Sequence, residues 1–115
     1  MALKLTNREV DGVTVVELDG RIVLGEESSA LREKVKGLLA EGKKKLVLDL
    51  KNVGMIDSSG LGALVAAHST ATTAGASLRL SNLSERSNQL LQITKLLTVF
   101  DVSKTEADAV RSFSK

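Results

Sequence analysis

The sequence predicts an α/β fold, with a mixed, mostly parallel sheet opened by an antiparallel hairpin and helices mainly on one face. Three observations carry that prediction. A hairpin turn signal stands near the start, strand-like and helix-like apolar periods alternate beyond it, and two inner strands carry a charged residue at an alternate position.

Asp11-Gly12 separates the stretches 3–10 and 13–18. Asp-Gly readily takes the positive φ angles that a two-residue turn needs, so the chain opens with a hairpin. From 26 to 41, Leu31, Val35, Leu38 and Leu39 recur at three- and four-residue spacing among Arg32, Glu33, Lys34 and Lys36, and Gly42 follows. That is an amphipathic helix with its stop signal.

Leu46-Val47-Leu48-Asp49-Leu50 alternates with period two, as does Leu78-Arg79-Leu80 between Ser77 and Ser81. Each reads as a strand with one buried face, and a second helix fills the interval over roughly 59–74. A short helix over 85–93, a strand over 97–102 and a last amphipathic helix over 105–113 complete the order, with Ala109, Val110 and Phe113 on the apolar side of that helix. The connections after the hairpin are long enough for right-handed crossovers, so only the first strand should run antiparallel. Strands covered on both faces tend to be unbroken apolar runs. Asp49 and Arg79 break that pattern, which places the helices mainly on one face.

With 115 residues, 43% of them hydrophobic, the chain can bury one core, and it has no repeat, proline or low-complexity linker to divide it. Residues 1–115 are therefore expected to form a single domain. The lack of cysteine excludes disulfides, thiolate metal sites and thiol nucleophiles, and no metal or cofactor is expected. No export signal or bilayer-length apolar run is visible, so the expected setting is the cytoplasm, away from the membrane. The 16 Lys and Arg are nearly matched by 14 Asp and Glu, and the only aromatics are Phe100 and Phe113. Neither a phosphate-tracking stripe nor a base-stacking platform can be assembled, which argues against direct nucleic-acid binding.

The informative stretch is Val53-Gly54-Met55-Ile56-Asp57-Ser58-Ser59-Gly60-Leu61-Gly62-Ala63-Leu64, running from a strand through a polar turn into an apolar helix. A helix start has unpaired N–H groups and the positive end of the macrodipole. Asp57, Ser58 and Ser59 can each cap it, and a phosphate there would be attracted. Gly60 and Gly62 are poor helix formers, which makes sense if a partner surface or a neighbouring strand must come close to the backbone. On these residues alone, Asp-Ser-Ser before an apolar run reads first as a helix cap.

Asp57-Ser58-Ser59-Gly60-Leu61-Gly62, after Leu46-Val47-Leu48-Asp49-Leu50, resembles the signature of STAS domains of the bacterial anti-sigma-factor antagonist family. The similarity runs over essentially the whole chain, from a hairpin ending in Gly20-Arg21-Ile22 to Gly75-Ala76-Ser77-Leu78-Arg79-Leu80 and a C-terminal helix. The resemblance implies a STAS-like fold and no enzymatic activity. It implies a phosphoacceptor at Ser58, with Asp57, Ser58, Ser59, Gly60, Leu61 and Gly62 forming the partner-binding segment. It further implies that the unphosphorylated form binds an anti-sigma factor serine kinase and frees a sigma factor. Phosphorylation then blocks binding until a serine phosphatase restores it, in a transcription-regulating partner switch. A monomer, or a weak dimer through the hairpin edge, is expected.

One position departs from the pattern. Many relatives carry an acidic residue in Gly-x-(Leu or Ile)-Asp, where this chain has Gly20-Arg21-Ile22-Val23. Val23 keeps open an alternative, a STAS adaptor in a larger regulatory or transport assembly that binds without a phosphorylation cycle. Hydrolase chemistry is disfavoured, because the sole histidine, His68, lies ten residues beyond Ser58, about 15 Å along one helix. His68 is in line with Leu61 and Leu64 and is expected to pack. No Gly-Lys-Ser or Gly-Lys-Thr phosphate loop occurs, and Lys43-Lys44-Lys45 reads as a solvated loop.

Overall fold

A computed structural model describes residues 4–22, 26–93 and 100–113. Its first two strands, β1 (Lys4–Val10) and β2 (Val13–Ile22), pair antiparallel without interruption from Val10↔Val13 to Lys4↔Asp19. Asp11 at φ 50° and Gly12 at φ 80° form the turn that Asp-Gly predicts. Then follow α1 (Glu26–Ala40), β3 (Lys45–Ile56), α2 (Ser58–Thr73), β4 (Ser77–Ser81), α3 (Glu85–Ile93), β5 (Asp101–Ser103) and α4 (Glu106–Ser112).

The five strands form one sheet in the order β1-β2-β3-β4-β5, and every pairing after the hairpin is parallel. This is the mixed sheet expected of the sequence. Two boundaries differ. β3 continues to Ile56, past the 46–50 stretch that alternates. Its pairing with β2 shifts register between Glu17 and Asp19 and again between Gly20 and Arg21, and Gly20 sits at φ 130°. A bulged ladder turns side chains out of strict alternation, so the extension leaves no period-two trace. The expected strand over 97–102 is observed as Asp101–Ser103, while 97–99 lie outside the described residues.

The main core lies between one sheet face and α1, α2 and α3. Val16, Leu18, Leu46, Leu48, Leu50, Leu78 and Leu80 from the sheet meet Leu31, Val35 and Leu38 of α1, Leu61, Leu64, Ala67 and Ala71 of α2, and Leu91 of α3. Burying each large side chain of this set stabilises the fold by about 1.5–3 kcal/mol relative to leaving it exposed. Among the described residues the opposite face has one helix. α4 places Ala109 and Val110 on Val13, Val15 and Val47, and Phe113 joins them. The Arg79 guanidinium lies 4.2 Å from the centre of the Phe113 ring, so the charged residue of β4 is covered by a cation–π contact.

Asp49, on the same face, is only 5% exposed. Its Oδ1 accepts the Lys51 N–H and the Asn82 Nδ2 amide, each at 3.0 Å. A buried carboxylate needs such donors, and Asn82 supplies one from a backbone held at φ 56°.

Candidate functional site

The candidate site is the junction at which β3 becomes α2. Asp57 has extended backbone, φ −96° and ψ −176°, and is the N-cap of the helix that starts at Ser58. Its carboxylate accepts the Gly60 N–H at 2.7 Å, and its carbonyl accepts the Leu61 N–H at 2.8 Å. The side chain thus satisfies one of the unpaired donors at the helix start, and the carbonyl accepts the first intrahelical bond. Ser58 and Ser59 are the first two helical positions, where the macrodipole favours negative charge.

The junction is anchored from behind by the end of β2. The Asp57 N–H donates to the Ile22 carbonyl at 3.3 Å. Gly60 is buried against the same peptide: a Cβ there would stand 1.7 Å from the Ile22 oxygen and 2.6 Å from its carbonyl carbon. Only glycine fits, because the obstacle is backbone. Leu61 is buried in the main core. Gly62 is exposed, and a Cβ there would have no neighbour within 4 Å. Of the two explanations the glycines admit, Gly60 answers to a neighbouring strand, and nothing among the described residues requires Gly62.

His68 packs as expected. Its ring meets Phe100 edge-to-face, with centroids 5.4 Å apart, and its backbone carbonyl accepts the Thr72 hydroxyl at 2.9 Å. It is part of the helix wall and stands away from the α2 N-terminus. The lysine run is likewise dispersed. Lys43 lies 3.6 Å from Glu9, the Lys44 ammonium donates to the Ala74 carbonyl at 2.7 Å, and Lys45 begins β3. Val23 lies outside the described residues.

One cluster gives no sign of itself in the sequence. Glu17, Asp49 and Glu106 bring carboxylate oxygens within 4.8 Å of one another on the α4 face. Arg8 supplies the counter-charge, bonding Glu17 at 3.0 Å and also Glu106. Hydrogen bonds to Glu106, and then to Glu17, raise the Arg8 pKa above that of an ordinary arginine, so the bridge keeps its cation throughout the physiological range. The arrangement fastens the hairpin to α4. Sequence separations of 9 and 98 residues hide it.

A groove of about 420 Å³ between α3 and the ends of β4 and β5 is lined by Leu83, Glu85, Asn88, Val102, Ser103 and Lys104. Among the described residues no helix is long and apolar enough to cross a membrane.

Comparison with known proteins agrees with this geometry. The STAS domain family profile matches residues 4–109. The anti-sigma-B factor antagonist of Bacillus subtilis (strain 168) is 40% identical over 81 residues, which cover 70% of this chain and 73% of that protein. An anti-sigma factor antagonist from Mycobacterium paratuberculosis has a similar crystal structure, with a TM-score of 0.84 at 22% identity, covering 98% of this chain and 95% of the other. The anti-sigma factor antagonist SpoIIAA in its unphosphorylated form gives 0.72 at 17% identity, covering 96% and 98%. Its phosphorylated form, from Bacillus, gives 0.70 at 18% identity with the same coverage.

Proposed function

The chain belongs to the STAS domain family, and from that premise we propose that it is an anti-sigma factor antagonist working as a phosphorylation-controlled binding switch. Unphosphorylated, it binds an anti-sigma factor serine kinase in the cytoplasm and so releases a sigma factor. Phosphate on Ser58 blocks that complex, and a serine phosphatase reopens it. The protein is a binding module and no enzyme, needs no cofactor, contacts neither nucleic acid nor membrane, and acts as one domain, monomeric or weakly dimeric.

The observation that carries this reading is the position of Ser58 as the first residue of α2, directly after the Asp57 cap. A phosphate added there gains from the helix dipole, so the modified chain keeps its fold. The same phosphate brings a charge of about −1.5 to −2 beside the Asp57 carboxylate, and any interface over this turn must desolvate it. A penalty on the order of 3 kcal/mol weakens binding by roughly a hundredfold, enough to empty a complex of moderate strength without refolding.

The test is to incubate the protein with an anti-sigma factor kinase of its own organism and ATP, following intact mass, fragment masses and complex formation. One phosphate on Ser58 with loss of the complex is the expected result. Unchanged mass with persistent binding overturns the switch and favours the adaptor reading, to which Val23, in place of the usual acidic residue, lends weight.

A further inference from the structure

Resting on that switch reading, we propose that Gly60 is a positioning residue for Ser58, which seats the first turn of α2 on the Ile22 carbonyl so that the Ser58 backbone is held in one place relative to the end of β2.

Two independent contacts converge on one peptide oxygen. The Ile22 carbonyl accepts the Asp57 N–H at 3.3 Å, immediately before Ser58. The same oxygen occupies the space where a Cβ on residue 60 would lie, at 1.7 Å, with the Ile22 Cγ2 at 2.9 Å. Ser58 therefore lies between two residues that both rest on Ile22. The Asp57 carboxylate closes the turn onto the Gly60 N–H at 2.7 Å, so Asp57, Gly60 and Ile22 form one closed unit around it. Ile22 itself is fully buried and pairs with Ile56 in the ladder, so its carbonyl cannot readily retreat.

A side chain at 60 must lift the helix start away from β2 or push β2 aside. Either movement displaces Ser58 without removing any atom of it. Gly62, two residues further on and open to solvent, provides the control, because a methyl group there touches nothing within 4 Å.

The experiment compares Gly60→Ala and Gly62→Ala with the unaltered chain by amide hydrogen exchange and by kinase kinetics on Ser58. In Gly60→Ala the Asp57 amide should exchange at least about tenfold faster, while the Leu48 and Leu80 amides in the sheet keep their protection. The kcat for phosphate transfer to Ser58 should fall by about tenfold or more with KM within about twofold, a split that a loss of stability alone does not produce. Gly62→Ala should keep the Asp57 protection. Unchanged exchange at Asp57 in folded Gly60→Ala, or unchanged kcat, overturns the proposal. Should Gly60→Ala not fold, the unaltered chain decides, because Asp57 exchange at the rate of an open chain removes the seat and protection supports it. If the unaltered chain takes no phosphate, the switch reading falls while the exchange data still judge the seat.

Discussion

The Asp57 carboxylate accepts the Gly60 backbone N–H at 2.7 Å across the first turn of α2. Removing that acceptor exposes a helix-start donor. Asp57→Ala is therefore expected to lower stability by about 0.5–2 kcal/mol, and Asp57→Asn by less, since an amide oxygen still caps. Urea denaturation checks this: the midpoint should fall with an unchanged slope.

Substitution of Ser58 should separate charge from shape. Ser58→Ala is expected to bind the anti-sigma kinase as the unaltered chain does and to accept no phosphate. Ser58→Glu should lose affinity, by up to roughly a hundredfold if one carboxylate imitates the phosphate well. Titration calorimetry with the kinase distinguishes them, and equal binding by both would sink the phosphoswitch.

The two glycines should respond to alanine with opposite signs. At Gly62 a methyl group meets open space, so Gly62→Ala gains helix propensity and should stabilise the fold by up to about 1 kcal/mol. At Gly60 the same methyl group collides with the Ile22 carbonyl, and the melting temperature should fall. Thermal unfolding of the pair reads both.

Arg8 joins Glu17 and Glu106 on a partly exposed surface, with 41% of its own side chain accessible. Arg8→Ala should lower stability by about 1 kcal/mol or less, and the difference from the unaltered chain should shrink in roughly 1 M salt as screening weakens the bridge. A loss insensitive to salt would assign the effect to packing of the arginine stem.

The sequence was legible wherever a local signal had a single physical solution. Asp11-Gly12 specifies its turn through positive φ, and the spacing of Leu31, Val35 and Leu38 specifies the buried side of α1. The helix expected over roughly 59–74 is α2, which starts one residue earlier, at Ser58, with Asp57 as its cap. What stayed hidden depends on partners distant in sequence. Residues 51–56 of β3 follow a ladder whose register shifts beside Gly20, so no period-two pattern marks them in the sequence. The Arg8 bridge needs α4 to lie on Val13, Val15 and Val47, a placement that no spacing within 105–113 reveals. Gly60 and Gly62 look alike on paper and differ only because Ile22 stands behind one of them.

The sheet order β1-β2-β3-β4-β5 has a consequence for how the protein is made. As the chain leaves the ribosome, each strand docks onto the one completed just before it, so no early strand has to wait for a distant partner. Such sequential growth keeps loop closures short, which favours fast folding, and exposes only one growing edge at a time to stray pairing. The Arg8 to Glu106 link joins residues 98 apart, so the hairpin is fastened to α4 only after the sheet between them has been laid down.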